Sequence, residues 1–203
     1  MASFVTLRLC CPAGRRCRLL DELATCRFLH DGRSIVFLGT LCKTHLAIAL
    51  GLLTAEACHR VYFTTAIEIT RRLSKALTEN KLHRELHNLT RPKLFIIDEV
   101  GYLQLDQIQA SLFFQVISQR YDNNSAIILT SNKAFSDWAE VFASDAIMAS
   151  AALDRLLHRC TIVNIRGESF RLKEKRQAAR STLTALLDTA VVPSTTKEET
   201  TVT

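Results

Sequence analysis

Short apolar runs along the chain alternate with longer stretches in which apolar residues recur at helical spacing. Five runs are rich in bulky residues and short enough to be strands buried in a sheet: 34–38, 60–64, 93–100, 125–130 and 160–164. Apolar residues at every third or fourth position predict helices at 19–29, 43–57, 67–77, 82–89, 106–121, 138–142 and 147–157. Strands separated by helices predict an α/β fold, a three-layer sandwich in which helices cover both faces of a five-stranded, mostly parallel sheet.

The two ends of the chain lack this pattern. Of the 203 residues, 48% are hydrophobic and 23% are charged, which is typical of one soluble globular domain. We expect this domain at residues 19–176. Residues 1–18 hold four arginines and a Cys-Cys-Pro sequence without a clear period, so they are predicted to be irregular. The threonine-rich residues 177–203 have too few apolar side chains to fold and are predicted to be disordered.

Two adjacent acids, Asp98 and Glu99, end the third predicted strand. At the carboxyl end of a parallel strand, where open α/β sheets bind ligands, Asp98 could hold the water shell of Mg²⁺. Glu99 could polarise an attacking water. This is the Walker B pattern of nucleotide hydrolases. These residues alone leave open a simpler interpretation, in which the strand ends in two solvated acids before a turn at Gly101.

Polar residues also follow the first and fourth predicted strands. Gly39 follows the first strand, and Lys43 and Thr44 open the helix behind it. The order strand, glycine-containing loop, Lys-Thr and helix is the context of a phosphate-binding loop. Asn132 follows the fourth strand. We therefore expect one edge of the sheet to gather a lysine, a cation-holding acid and its neighbouring base around a triphosphate.

Charge and cysteine content narrow the class of protein. The net charge of +6 favours an anionic partner, and residues 155–180 hold eight Arg or Lys against two Glu. This segment fits either a nucleic-acid contact or a solvated helix face. The seven cysteines are odd in number and have no paired CxxC spacing, so they are expected to be reduced thiols of a cytoplasmic protein. No apolar run approaches the roughly 18 residues of a membrane span, so no membrane partner is expected.

Several motifs resemble those of one family. The chain resembles IstB, the AAA+ helper ATPase of insertion sequences and a relative of the DnaC helicase loader, across residues 19–175. The motifs are KTHLAIALG, FTTA, LFIIDEVGYLQLD, LFFQVISQRY, TSN, FSDWAEVF, LDRLLHR and NIRGESFRLKEK. The resemblance implies a P-loop NTPase fold of AAA+ type that binds ATP and Mg²⁺. It also implies an ATP-dependent homo-oligomer that assembles on double-stranded DNA and delivers it to a partner transposase.

The same resemblance implies a role for each candidate residue. Lys43 would contact the β- and γ-phosphates, while Thr44 and Asp98 would hold Mg²⁺. Glu99 would activate water, and Asn132 would orient it. The nucleotide-binding segment would comprise Gly39, Thr40, Cys42, Lys43, Thr44 and His45.

Four basic residues in the last third of the chain are further candidates. Arg155 resembles the arginine finger that completes a neighbouring subunit's site. Its alternative is a surface arginine paired with Asp154 or another nearby acid. Lys173, Lys175 and Arg176 are candidates for contacting the DNA backbone, or else form an exposed helix end.

The phosphate-binding loop departs from the family pattern. In G-x-x-x-x-G-K-[ST] the lysine lies six positions beyond the first glycine, but Lys43 lies four beyond Gly39. Cys42 replaces the second glycine, and its side chain disfavours positive φ. Losing about two charged hydrogen bonds, at roughly 1.5–3 kcal/mol each, would weaken nucleotide affinity about 100- to 10,000-fold. Two hypotheses therefore stand: an active ATPase that regulates transposition, and a non-catalytic remnant that binds DNA or the partner.

Overall fold

A five-stranded parallel sheet forms the centre of the protein. The computed structural model describes residues 15–40, 42–102 and 104–165. The strands are β1 (Ser34–Gly39), β2 (Val61–Thr65), β3 (Leu94–Val100), β4 (Ala126–Ser131) and β5 (Cys160–Ile165). Their order is β2-β3-β4-β1-β5, and each neighbouring pair is parallel. The predicted parallel sheet is thereby confirmed.

Seven α-helices connect and cover the described strands. They are α1 (Arg15–Ala24), α2 (Lys43–Glu56), α3 (Ala66–Thr78), α4 (Leu82–Thr90), α5 (Gln107–Asp122), α6 (Trp138–Val141) and α7 (Ala146–His158). Short 3-10 helices lie at Arg27–Leu29 and Phe135–Asp137. In the described part of the chain, no helix has both the length and the apolar character needed to cross a membrane.

Alternate strand residues face opposite sides of the sheet and contact different helices. On one side, Ile35 and Phe37 of β1 share a buried cluster with Leu46 and Leu50 of α2. On the other side, Val36 of β1 belongs to a cluster with residues of α3, α5 and α7, namely Leu73, Phe113 and Leu156. The two clusters account for the continuous apolar runs in the sequence, because the central strands are covered on both faces. The predicted three-layer arrangement is confirmed.

The prediction for the first helix was wrong in its bounds. The spacing indicated one helix over 19–29, but α1 ends at Ala24 and a separate 3-10 helix follows. Cys26 interrupts the helix because its φ is 57°, and its thiol lies 3.7 Å from the hydroxyl of Thr54 in α2. Helix α1 also begins at Arg15, inside the segment predicted to be irregular. The rest of that segment, residues 1–14, lies outside the described residues, as do the predicted tail 177–203 and Lys173, Lys175 and Arg176.

Candidate functional site

The carboxyl ends of three adjacent strands bring the candidate residues to one edge of the sheet. In the order β3-β4-β1, these ends are Val100, Ser131 and Gly39. Helix α2 begins at Lys43, a few residues beyond the end of β1. A strand end next to a helix N-terminus is the usual position of an anion-binding site in this fold class.

Asp98 is the buried acid of this edge, with 4% of its surface exposed. The hydroxyl of Thr44 donates to both of its carboxylate oxygens, at 3.1 Å to Oδ1 and 2.9 Å to Oδ2. The hydroxyl of Thr130 also donates to Oδ1. Buried carboxylates need such partners because they have lost their water. Carboxylate and hydroxyl oxygens are the ligands that Mg²⁺ prefers, so the pair Thr44 and Asp98 fits this cation.

Glu99 has a different environment from the acid beside it. Its side chain is exposed, and its backbone φ of 62° lies in the left-handed region. The register between β3 and β4 shifts between Ile97 and Val100, which is the signature of a β-bulge. The Glu99 N–H donates to the Thr130 hydroxyl at 3.0 Å. The strand therefore ends with one acid held inside and the next acid open to solvent, contrary to the interpretation with two solvated acids.

Lys43 lies close to both acids and is bonded to its own loop. Its Nζ donates to the carbonyl oxygen of Gly39 at 2.6 Å. Burial lowers the pKa of Lys43, and the charges of Asp98, Cys42 and Glu99 partly offset that shift. The interaction with Asp98 is the largest of these three. Because the next residue, Thr44, is hydrogen-bonded to Asp98, the structure brings Lys43 to the same end of the sheet as the two acids.

Two positions of the loop have unusual backbone geometry. Gly39 has a φ of 129°, and a Cβ there would lie 2.1 Å from the carbonyl oxygen of Ile165, so no larger residue fits. Cys42 has a φ of 53°, the conformation that glycine adopts freely. A residue with a side chain there costs roughly 1–2 kcal/mol. Cys42 thus adopts a glycine-like backbone conformation that is strained for a residue with a side chain. Leu41, beside it, lies outside the described residues.

The remaining candidates at this edge are open to solvent. Thr40 and His45 flank the loop and are exposed. Asn132 is also exposed and directly follows β4. This is the position expected of a residue that would contact a ligand's outermost group.

Arg155 lies at the opposite edge of the sheet. It lines a small cavity together with Ser34 and Ser125, which lie where β1 begins and just before β4. Its guanidinium lies 4.9 Å from the centre of the Phe114 ring, and its Nη1 donates to the carbonyl of Ala151 at 3.3 Å. Within residues 15–40, 42–102 and 104–165 no acid pairs with Arg155, so the alternative of a pair with Asp154 is wrong. Arg155 is separated from Lys43 and Asp98 of the same chain by the length of the sheet.

Thr130 is the site residue that the sequence reasoning missed. It is buried in β4 with 1% of its surface exposed, and it contacts both acids. The sequence holds one hint, because Thr130 is a polar residue near the end of a predicted strand. If that strand pairs with β3, the threonine lies next to Asp98. Recognising it required knowing that β4 pairs with β3, which the chain order alone does not give.

Comparison with protein families and with curated proteins gives a consistent result. Residues 11–178 match the family model described as IstB-like ATP binding protein. An ATP-binding protein of insertion sequence IS21 from Pseudomonas aeruginosa is 47% identical over 163 residues, which cover 79% of this chain and 61% of the relative. One from insertion sequence IS5376 of Geobacillus stearothermophilus is 45% identical over 161 residues, or 78% and 63% of the two chains. The chain thus spans about three-fifths of the length of these relatives.

Solved structures with the same fold include proteins of replication initiation. The DnaC helicase loader superposes with a TM-score of 0.66 at 20% identity, covering 79% of this chain and 96% of DnaC. AMPPCP-bound DnaA from Aquifex aeolicus gives a TM-score of 0.62 at 20% identity, covering 84% of this chain and 53% of DnaA. These likenesses confirm the AAA+ type of P-loop fold.

Proposed function

This chain belongs to the family of IstB-like ATP-binding proteins of insertion sequences, and on that premise we propose that it is an AAA+ helper protein of transposition. In this proposal it binds ATP with Mg²⁺, assembles as a homo-oligomer on double-stranded DNA and cooperates with a transposase of its insertion sequence. The observation that supports the proposal best is the contact between Thr44 and Asp98, because it joins the start of α2 to the end of β3. A Mg²⁺–triphosphate site requires this arrangement, in which the phosphate-binding helix start and the metal-binding acid lie side by side.

Each residue of the edge has a part in the proposed site. Lys43 binds the terminal phosphates after giving up its bond to the Gly39 carbonyl. Thr44 and Asp98 hold Mg²⁺, which when bound neutralises phosphate charge. Glu99, exposed at the bulge, activates an attacking water, and Asn132 orients that water near the γ-phosphate.

The position of Arg155 supports an oligomeric site. Because Arg155 lies at the far edge of the sheet, it can reach a nucleotide only if that nucleotide is bound to a neighbouring subunit. Its guanidinium lies 4.9 Å from the centre of the Phe114 ring and is only partly buried, and no acid of the described residues pairs with it. In the proposed assembly, Arg155 completes the site of the adjacent copy, which makes hydrolysis depend on assembly.

The shortened loop sets the expected strength of binding. Thr44 and Asp98, the proposed Mg²⁺ ligands, lie in contact. The loop that would surround the phosphates is two residues short of the family pattern. We therefore place nucleotide affinity about 100- to 10,000-fold below that of a complete loop. The alternative, a non-catalytic remnant that binds DNA or a partner with weak or no nucleotide binding, is not favoured by membership of an ATP-binding family.

Binding to a labelled DNA duplex tests the proposal. Fluorescence anisotropy, with and without ATP and Mg²⁺, would be measured for the unmodified protein, Lys43→Ala and the control Lys75→Ala. Lys75 is an exposed lysine of α3 that pairs with Glu79. We expect Mg²⁺–ATP to tighten DNA binding in the unmodified protein and the control, but not in Lys43→Ala. DNA binding that is the same with and without ATP would instead support the remnant. Absence of DNA binding would contradict the proposal and leave the remnant only its partner protein to bind.

A further inference from the structure

Thr130 holds a central position between the two acids of the site. Its side chain is buried, and its hydroxyl makes one hydrogen bond in each direction. It donates to Oδ1 of Asp98 and accepts from the N–H of Glu99 at 3.0 Å. A hydroxyl combines a donor and an acceptor on one atom, so one threonine side chain can make both hydrogen bonds.

The strand register explains why this hydroxyl is needed. Strands β3 and β4 pair regularly up to Ile97 and Leu129, and pairing resumes at Val100 and Ser131. Two residues of β3, Asp98 and Glu99, therefore lie opposite the single residue Thr130. This is a β-bulge, in which the backbone ladder is interrupted. Where the regular ladder is interrupted, the Thr130 hydroxyl accepts the hydrogen bond from the Glu99 N–H.

The bulge also determines where the two carboxylates lie. In a regular strand, successive side chains point to opposite faces, so Glu99 would point away from Asp98 into the other helical layer. The left-handed φ of 62° at Glu99 breaks this alternation and leaves its side chain exposed. A left-handed conformation at glutamate is unfavourable and persists only where surrounding contacts hold it.

We propose that Thr130 is a positioning residue of this site, whose hydroxyl holds the bulge and thereby sets both acids. Through Oδ1 it fixes the Asp98 carboxylate toward Thr44, and through the N–H it keeps Glu99 turned out of the sheet. Asp98 retains a second donor in Thr44, at 2.9 Å and 3.1 Å. The bulge at Glu99 depends more heavily on Thr130 than the orientation of Asp98 does. This inference deepens the proposed function and relies on it for its catalytic consequence.

The test compares Thr130→Val, which keeps the shape and removes the hydroxyl, with Thr130→Ser, which keeps the hydroxyl. Thr64→Val is the matched control, because Thr64 is a buried threonine of β2 outside the site. The first measurement is amide hydrogen exchange of Glu99 by NMR in nucleotide-free protein. We expect Thr130→Val to speed this exchange by about tenfold or more, while Thr130→Ser and Thr64→Val leave it within about threefold of the unmodified protein.

The second measurement is steady-state ATP hydrolysis. For Thr130→Val we expect kcat to fall about tenfold or more with a smaller change in KM, because Glu99 is displaced while Thr44 still orients Asp98. Thr130→Ser should restore kcat. A merely structural role would lower the melting temperature of Thr130→Val and Thr64→Val alike without this split between kcat and KM.

The two measurements separate this inference from the proposed function. Hydrogen exchange needs no nucleotide, so it reports on the bulge even in a protein that binds no ATP. Unchanged exchange at Glu99 in Thr130→Val would overturn the inference. If Thr130→Val does not fold, faster exchange in Thr130→Ser than in Thr64→Val would count against it as well, because the serine keeps the hydroxyl. If the protein binds no nucleotide but Thr130→Val still shows the expected faster exchange at Glu99, only the proposed function is overturned.

Discussion

The hydroxyl of Thr44 donates to both carboxylate oxygens of Asp98, across the gap between the first turn of α2 and the end of β3. Because this pair is proposed to hold Mg²⁺, Thr44→Val should weaken binding of ATP in the presence of Mg²⁺ by about 10- to 100-fold. Binding of ATP in the presence of EDTA should change much less. Calorimetric titration under both conditions measures the difference.

The control for this prediction is Thr54→Val in the same helix. Thr54 is buried at the other end of α2, where its hydroxyl donates to the carbonyl of Leu50. The Thr54→Val variant should be less stable, but its ATP binding should depend on Mg²⁺ as in the unmodified protein. An equal loss of ATP affinity in Thr44→Val with and without Mg²⁺ would show that Thr44 acts only through packing or direct phosphate contact.

Restoring the loop should restore the affinity. We predict that two residues inserted after Thr40, together with Cys42→Gly, raise affinity for Mg²⁺–ATP by about 100- to 10,000-fold through regained hydrogen bonds. Cys42→Gly alone should add about 0.5–1 kcal/mol to the free energy of unfolding by relieving the left-handed strain at φ 53°. Cys42→Ala keeps a Cβ and should bring no such gain.

Titration with a fluorescent ATP analogue and denaturant unfolding measure these two effects separately. If the lengthened loop binds ATP no better than the unmodified one, loop length is not what limits affinity. Similar stabilities for the glycine and alanine variants would remove the argument from strain at Cys42.

Arg120 should be a major contributor to stability although it is charged. Its side chain is fully buried in α5 and donates to the backbone carbonyls of five residues, at distances of 2.6–3.5 Å: Leu89, Thr90, Pro92, Lys93 and Ala126. Arg120→Met would leave these buried acceptors without their donor. We expect a loss of about 3–5 kcal/mol in the free energy of unfolding, measured by urea denaturation.

Arg71→Met is the matched control for Arg120. Arg71 is an exposed arginine of α3 that pairs with Glu68, so its loss should have no measurable effect. A destabilisation of Arg120→Met no larger than that of Arg71→Met would mean that other donors or water satisfy the carbonyls.

Cys160, the first residue of β5, should make stability depend on pH in the alkaline range. Burial raises the pKa of its thiol to about 11, against a small opposing effect of a hydrogen bond with the Val36 backbone. In the unfolded chain the thiol titrates near roughly 8.5. Between these values the unfolded state releases the proton and the folded state keeps it, so stability must fall as pH rises. The expected loss is up to about 3 kcal/mol between about pH 8.5 and 11.

Urea unfolding of the unmodified protein and of Cys160→Ala, in reductant across that pH range, isolates this contribution. The stability of the unmodified protein should fall more steeply than that of the variant. Cys58→Ala, which changes an exposed cysteine, serves as the control. Parallel pH curves for the unmodified protein and Cys160→Ala would rule out the effect.

The strands and the layers around them follow from the sequence because they depend on local pattern. The apolar residues 94–97 must be buried on both faces, and the Lys-Thr pair at Lys43 and Thr44 follows the first strand after a short loop. The same patterns place Asp98 at the carboxyl end of β3, beside the start of α2, where the structure has it. Prediction succeeds here because each inference involves residues close together in the chain.

Other features depend on contacts between residues far apart in the chain. The break in the first helix involves Cys26 and Thr54, and the bulge at Glu99 needs Thr130 from the next strand in space. Arg120 looks like a surface charge in its helix until its five carbonyl partners are known. The partner of Arg155 is likewise a ring, Phe114, on a different helix. No periodicity in the sequence encodes such pairs.

Calorimetric titration of the purified protein with ATP, with Mg²⁺ present, tests the central claim most directly. We predict saturable binding with a Kd on the order of 1 mM, which a short loop with an intact Thr44–Asp98 pair should give. Lys43→Ala should abolish that binding, and Lys75→Ala should not. Absence of saturable binding, or equal binding by Lys43→Ala, would contradict the account.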